Sequence, residues 1–297
     1  MTAIQIKPVG FEVGGDRVRG DLYLPAHTER KPPVVVMAHG FGGERRFRLP
    51  AFAEYFAYNG LAVLLFDYRG FGDSEGEPRG LVDPERHLED YAAAVAFART
   101  LPEVDGERLA LWGTSFSGGH SLVTAARLPG IKAVVAQVPH LDGLASAMGY
   151  PPRLLPRATW LAARDIVANL RDKAPVRMPI IARSGPCCLA GDDCYDGYLT
   201  LIPPGADWLN AVPARILFTI MAYRPVTEAD KVRAPVLLIA SRTDSLIPYR
   251  VSEKTASLLH DCRFEVIDGG HFAPYTGPTF ERVVKMECDF LKDKLSA

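Results

Sequence analysis

Ser115 sits in Gly113-Thr114-Ser115-Phe116-Ser117-Gly118-Gly119, after an apolar run and before a helical one. A serine on a tight strand-to-helix turn has its hydroxyl exposed above a sheet. The helix N-terminus behind it favours developing negative charge. Small neighbours are needed because such a turn brings backbones close together. The expected pattern is G-x-S-x-G, and here Ser117 stands where the last Gly usually stands. Serine is small enough to be tolerated there. Ser117 is also the competing serine, but it fits better as part of the helix start.

A serine hydroxyl is a poor nucleophile until a base takes its proton. Of the seven histidines, His271 follows the last strand-like run, in Asp268-Gly269-Gly270-His271-Phe272. His39 and His140 also follow strands and are rivals. His27 lies in an early loop. His87 and His260 fall in helical patterns, where a solvated face is expected, and His120 lies on the helix behind Ser115. The base needs an acceptor that holds one tautomer. Asp244, after the seventh strand-like run, is the first choice, although an Asx-turn is the ordinary use of such a residue. Asp142, after the sixth, is the runner-up, and Asp67 precedes the serine. Acyl transfer further needs donors for an oxyanion. The N–H of Phe116 and the N–H of Phe41, in His39-Gly40-Phe41-Gly42-Gly43, are the candidates. A phosphate cradle fits this loop poorly, because the third Gly is missing and no G-K-[ST] follows.

These residues need a sheet whose strand ends meet at one edge. Ile4–Val13 and Arg17–Leu24 alternate around Gly14–Asp16, as in a hairpin. Buried-strand runs follow at Pro33–Ala38, Leu61–Asp67, Arg108–Trp112, Ile131–Val138, Pro235–Ala240 and Cys262–Ile267. Helical patterns lie between them at Leu49–Tyr58, Pro84–Thr100, Ser117–Arg127 and Val251–His260, and Phe280–Leu295 ends the chain. The rhythm breaks between Leu141 and Arg233, which holds ten of the 24 prolines, two of the three tryptophans and a helical stretch at Arg157–Lys173. The expectation is an α/β fold. It has an eight-stranded, mostly parallel sheet with flanking helices and a cap insertion after the sixth strand. The core would be residues 1–140 and 234–297, and the cap 141–233. Ligands in such sheets bind beyond the carboxyl ends of the strands. Ser115, Asp244 and His271 each follow a different strand, in the order Ser…Asp…His.

Composition narrows the classes. The 297 residues carry 34 basic and 35 acidic side chains, with no polybasic run, which argues against nucleic-acid binding. No apolar run approaches the roughly 18 residues of a membrane span. Met1–Pro8 lacks the charged and apolar segments of a secretory leader, so the cytoplasm is the expected location. The five cysteines, including Cys187, Cys188 and Cys194, form no zinc spacing and no C-x-x-C. Reduced, structural thiols are the expectation, with no metal and no cofactor. Self-association is left open.

The motifs His39–Gly43, Phe66–Ser74, Gly113–Gly119, Thr243–Pro248 and Gly269–His271 together resemble the α/β-hydrolase superfamily. The closest flavour is its dienelactone-hydrolase-like and X-Pro-dipeptidyl-peptidase-like esterases. The resemblance spans nearly the whole chain and is weakest over the insertion, where the family carries its lid. It implies Ser115 as nucleophile, Asp244 as acid, His271 as base, and Phe41 and Phe116 as oxyanion donors. It also implies a small-molecule acyl substrate, cleaved at an ester, lactone or thioester bond through an acyl-enzyme. A dehalogenase is disfavoured, because Asp would then be expected at position 115. An acyltransferase using the same residues, or a non-catalytic receptor on the same fold, are the rivals. Trp160, Trp208, Met148, Phe218 and Met221 are candidates for an apolar pocket lining, against the alternative that most of them form the cap's own small core.

Overall fold

The computed structural model describes residues 4–26 and 30–296. Met1–Ala3, the start of the segment read for a leader, and His27 lie outside the described residues. The chain opens with a hairpin, β1 (Gln5–Val13) and β2 (Asp16–Leu24). It then alternates: β3 (Pro33–Ala38), α1 (Leu49–Tyr58), β4 (Ala62–Phe66), α2 (Pro84–Thr100), β5 (Asp105–Thr114), α3 (Phe116–Arg127) and β6 (Ile131–Gln137). Next come the short elements of the insertion: α4 (Gly143–Met148), α5 (Leu155–Leu170), β7 (Arg177–Met178), α6 (Cys194–Leu199), β8 (Val212–Pro213) and α7 (Ile216–Thr219). The alternation resumes with β9 (Val236–Ser241), α8 (Tyr249–Leu258), β10 (Cys262–Ile267) and α9 (Gly277–Leu295).

Eight strands form one sheet in the order β1-β2-β4-β3-β5-β6-β9-β10. Only the β1–β2 and β2–β4 pairs are antiparallel. The central strands β3, β4 and β5 are walled by helices on both faces, so Val34–Ala38, Ala62–Phe66 and Leu109–Trp112 are fully buried. The insertion lies between β6 and β9 and contributes only a separate two-stranded pair, β7–β8. It has a small core of its own, built on Ala158, Ala162, Met178 and Ala214. Among the described residues no helix is long and apolar enough to cross a membrane.

Element boundaries follow local chemistry. The Asp83 side chain accepts from the Glu85 and Arg86 amides to start α2, and Pro84 occupies its first turn. β5 runs two residues further than its apolar run indicates and delivers Ser115 directly into α3. The expectation of solvated faces for the helical histidines fails at His87, which is 1% exposed. α2 packs on α3, so the His87 ring stacks on Tyr68 at 4.1 Å and meets His120 at 3.4 Å. Burial pushes the pKa values of both histidines well down, which keeps them neutral.

Candidate active site

The turn at Ser115 is held by contacts that leave no room for larger neighbours. Ser115 has φ 53° and ψ −117°, a conformation a non-glycine residue adopts only when its surroundings enforce it. Its N–H donates to the Gln137 carbonyl at 2.8 Å, and its carbonyl accepts from the His140 N–H at 2.8 Å. Both ends of the strained residue are thereby tied to the end of β6. A Cβ on Gly113 would collide with the Ser117 carbonyl. A Cβ on Gly40 would lie 3.1 Å from the Ser115 Cβ, a tight contact that a glycine in the β3 loop avoids.

The tertiary structure brings the three strand-end residues together. His271 Nε2 is 2.9 Å from Ser115 Oγ, and His271 Nδ1 is 2.7 Å from Asp244 Oδ2. The other Asp244 oxygen, Oδ1, accepts from the Leu246 and Ile247 amides, both at 2.8 Å. The turn-forming use of this aspartate and its contact to histidine therefore coexist on different oxygens. With Oδ2 accepting from Nδ1–H, the imidazole presents an unprotonated Nε2 to the serine hydroxyl.

The rivals are placed elsewhere. Asp142 caps α4 through the Leu144 and Ala145 amides and pairs with Arg224 at 2.8 Å. Asp67 is buried and pairs with Arg45, whose backbone N–H it also accepts at 2.6 Å. His39 is buried, its Nδ1 3.0 Å from the Gly40 carbonyl. His120 hydrogen-bonds Tyr223 at 2.6 Å, and His260 sits at the far end of α8 against the Asp230 carbonyl at 2.8 Å. His140 lies next to Ser115 through its backbone N–H, and the Ser115 hydroxyl is hydrogen-bonded by His271 instead. Ser117 is buried, and its hydroxyl donates to the His39 carbonyl and meets the Tyr68 hydroxyl at 2.7 Å. The serine in the glycine position thus ties the helix behind Ser115 to the loop after β3.

Phe41 and Phe116 flank Ser115, their rings 5.6 Å apart. Phe116 is the first residue of α3, so its N–H has no acceptor within the helix. The insertion clamps the loop that carries Phe41. The Tyr198 hydroxyl donates to the Phe41 carbonyl at 3.0 Å, and Trp208 Nε1 donates to the Gly42 carbonyl at 3.1 Å. Tyr198 and Trp208 stack on each other at 5.1 Å. Sequence reasoning missed Tyr198, because its partner lies more than 150 residues away and no local pattern marks it.

A cavity of about 610 Å³ opens over the serine, lined by Ser115, Phe41, Phe116, His140, Phe218 and Met221 among others. Among the described residues no Lys or Arg lines it. Trp208, Trp160 and Met148, expected as lining, are not part of this wall. Trp208 braces the Phe41 loop. Trp160 is 55% exposed, with the Arg164 guanidinium 4.6 Å from its ring centre. Met148 is 74% exposed at the end of α4. The reason on α5 is rotational: Ala158, Ala162 and Asp165 face inward, and a residue two positions from Ala158 points away from that side.

The thiols are shielded. Burial raises the Cys187 pKa, pushes that of Cys194 up to about 12 and raises that of Cys188 further, so all three remain thiols. Among the described residues no group of three or more His, Cys, Asp or Glu side chains is arranged to hold a metal ion.

Residues 14–184 match the family model described as X-Pro dipeptidyl-peptidase (S15 family). The chain belongs to this family. It is 43% identical over 285 residues to the quorum-quenching protein AidA of Acinetobacter baumannii, an alignment covering 96% of this chain and 93% of that protein. It is 28% identical over 296 residues to the thiohydrolase aneE of Aspergillus aculeatus, covering 96% and 92% respectively. Among solved structures, the α/β hydrolase GrgF from Penicillium sp. sh18 aligns with a TM-score of 0.85 at 24% identity, over 99% of this chain and 100% of that one. The fold is that of the α/β hydrolases.

Proposed function

We propose that the protein is a serine hydrolase that cleaves an ester, lactone or thioester bond through an acyl-enzyme on Ser115. The observation that carries this reading is the continuous hydrogen-bonded chain from Asp244 through His271 to Ser115, on a strained turn at the floor of a largely apolar cavity. Such a chain supplies what acyl transfer requires. His271 Nε2 takes the Ser115 proton as Oγ attacks the carbonyl carbon. Asp244 stabilises the imidazolium that forms. The Phe41 and Phe116 amides stabilise the tetrahedral oxyanion, each donor contributing about 2.7–4 kcal/mol. The leaving group departs with the proton from His271, and water, deprotonated by the same nitrogen, then releases the acid.

In this reading residues 141–233 act as a cap. They close the cavity from above through Phe218 and Met221 and hold the oxyanion loop through Tyr198 and Trp208. With no cationic lining and Asp192 in its wall, the cavity disfavours an anionic acyl group. The name of the aneE relative makes thioesters a reasonable first substrate panel beside oxygen esters. The cavity has volume for more than a short acyl group, so transfer to an alcohol or amine is the second reading, and product analysis with added acceptor separates it from hydrolysis.

The test is capture of the acyl-enzyme. A fluorophosphonate probe should label the wild-type chain at Ser115. Ser115→Ala should abolish labelling and lower kcat on a nitrophenyl ester on the order of 10⁶-fold, as in comparable triads. An unchanged rate in that variant would remove Ser115 from the mechanism. A wild-type chain that resists the probe would instead favour a ligand receptor on a hydrolase fold.

A further inference from the structure

Resting on the acyl-enzyme reading, we infer that His140 is a specificity-determining residue. Its ring forms a polar subsite beside Ser115 for a hydroxyl or oxo group on the first carbons of the acyl chain. His140 follows β6, and its N–H holds the Ser115 carbonyl at 2.8 Å, so the residue sits beside the serine at the cavity wall. The side chain lines the cavity, yet the residue is only 5% exposed. Phe116 lies against the ring at 5.3 Å, and Tyr223 stacks nearly parallel to it at 6.2 Å.

The ring packs against aromatic neighbours but leaves hydrogen-bonding capacity unmet. Its Nε2 is buried with no hydrogen-bond partner among the described residues. A buried, unmatched polar atom is costly, so a structural histidine normally has partners for its nitrogens. Burial also pushes its pKa down to about 4, against a smaller opposing effect of Asp142, with nearby His271 adding to the lowering. The ring is therefore neutral and carries one proton. With Nε2 sealed from any acceptor, that proton is best placed on Nδ1, which leaves an N–H donor for a group in the cavity. The rest of the wall is dominated by apolar side chains such as Phe41, Phe116, Leu217, Phe218 and Met221. Ser146, Tyr150, Thr159 and Ser245 also line the cavity, but beside the Phe116 ring a neutral donor on His140 discriminates, because an acyl group without an acceptor leaves it unpaired. A charged donor would attract carboxylates, whereas a neutral one selects hydroxyl and oxo groups.

The experiment compares nitrophenyl hexanoate with its analogues bearing a hydroxyl or oxo group on the second or third carbon. Wild-type kcat/KM should favour at least one substituted ester by about tenfold, the contribution of one hydrogen bond in an apolar site. His140→Phe keeps a ring of similar size and should erase that preference without slowing the unsubstituted ester to the same degree. His140→Gln, which retains a donor, should restore part of it. Fluorophosphonate labelling of Ser115 in each variant separates the two ideas: labelled variants that keep the preference, or that slow equally on every ester, overturn the role of His140 alone. A wild-type chain that shows no preference for any substituted ester also overturns it. Loss of labelling in the wild type overturns the acyl-enzyme reading and this inference with it.

Discussion

Removing the Ser117 hydroxyl tests the architecture of the turn more sharply than any change at Ser115. Ser117 is fully buried, and its Oγ joins the His39 carbonyl to the Tyr68 hydroxyl. Tyr68 is itself fully buried, with its ring stacked on His87. In Ser117→Ala the alanine methyl preserves the packing, but two buried polar groups lose their shared partner. Orphaning a buried group costs about 1–3 kcal/mol, so the expected loss is on the order of 3 kcal/mol. Urea unfolding with an unchanged m-value should read that loss as a lower midpoint. The same substitution frees the carbonyl that anchors the loop before Gly40 and Phe41. In the proposed mechanism this displaces the Phe41 amide, and kcat should fall by about tenfold, with Ser115 still labelled by a fluorophosphonate. Stability within about 0.5 kcal/mol of wild type would refute the bracing argument. A folded Ser117→Ala variant that no longer reacts with the probe would move the nucleophile to Ser117.

Two further outcomes follow from the cavity and the core. Phe218→Trp should lower kcat/KM for long-chain esters relative to acetate, with each excluded methylene worth about 1–3 kcal/mol, whereas Trp160→Ala should leave the chain-length profile unchanged because that ring faces solvent. Glu287 is completely buried, accepts from Trp112 Nε1 at 3.0 Å, and has its pKa pushed from 4.5 up to about 8 by burial. The folded state therefore keeps a proton that the unfolded chain releases above pH 4.5. Wild-type stability should fall as pH rises from 4.5 to 8, by a total on the order of 5 kcal/mol, and then level off. Glu287→Gln should flatten that slope in urea titrations across the same range, and an unaltered slope would show that Glu287 is not its source.

Much of the fold was legible in local pattern. Helices Leu49–Tyr58 and Pro84–Thr100 have the bounds that their apolar periodicity, prolines and capping residues indicate. The buried strands read as continuous apolar runs because both faces of the sheet are covered. The strand-end positions of Ser115, Asp244 and His271 were equally legible, since a strand followed by a loop is a local event. The faces of the insertion were not. Trp160 and Trp208 are the same residue type in the same Pro-rich stretch, yet one lies against solvent and the other donates to the Gly42 carbonyl. The burial of His87 was also hidden, because it depends on how α2 packs on α3.

The sequence alone determined which chemical groups stand at strand ends, their order along the chain and the element types that carry them, because hydropathy period, proline, glycine and capping side chains act over a few residues. Only the tertiary structure decided that His271 reaches both Ser115 and Asp244, that Ser117 and Tyr198 secure the loop carrying Phe41, and that His140 lines the cavity while its Nε2 is buried without a partner. Those facts are distances between residues 25 to 157 positions apart. Such distances are set by strand order and packing in space, to which no local pattern is sensitive.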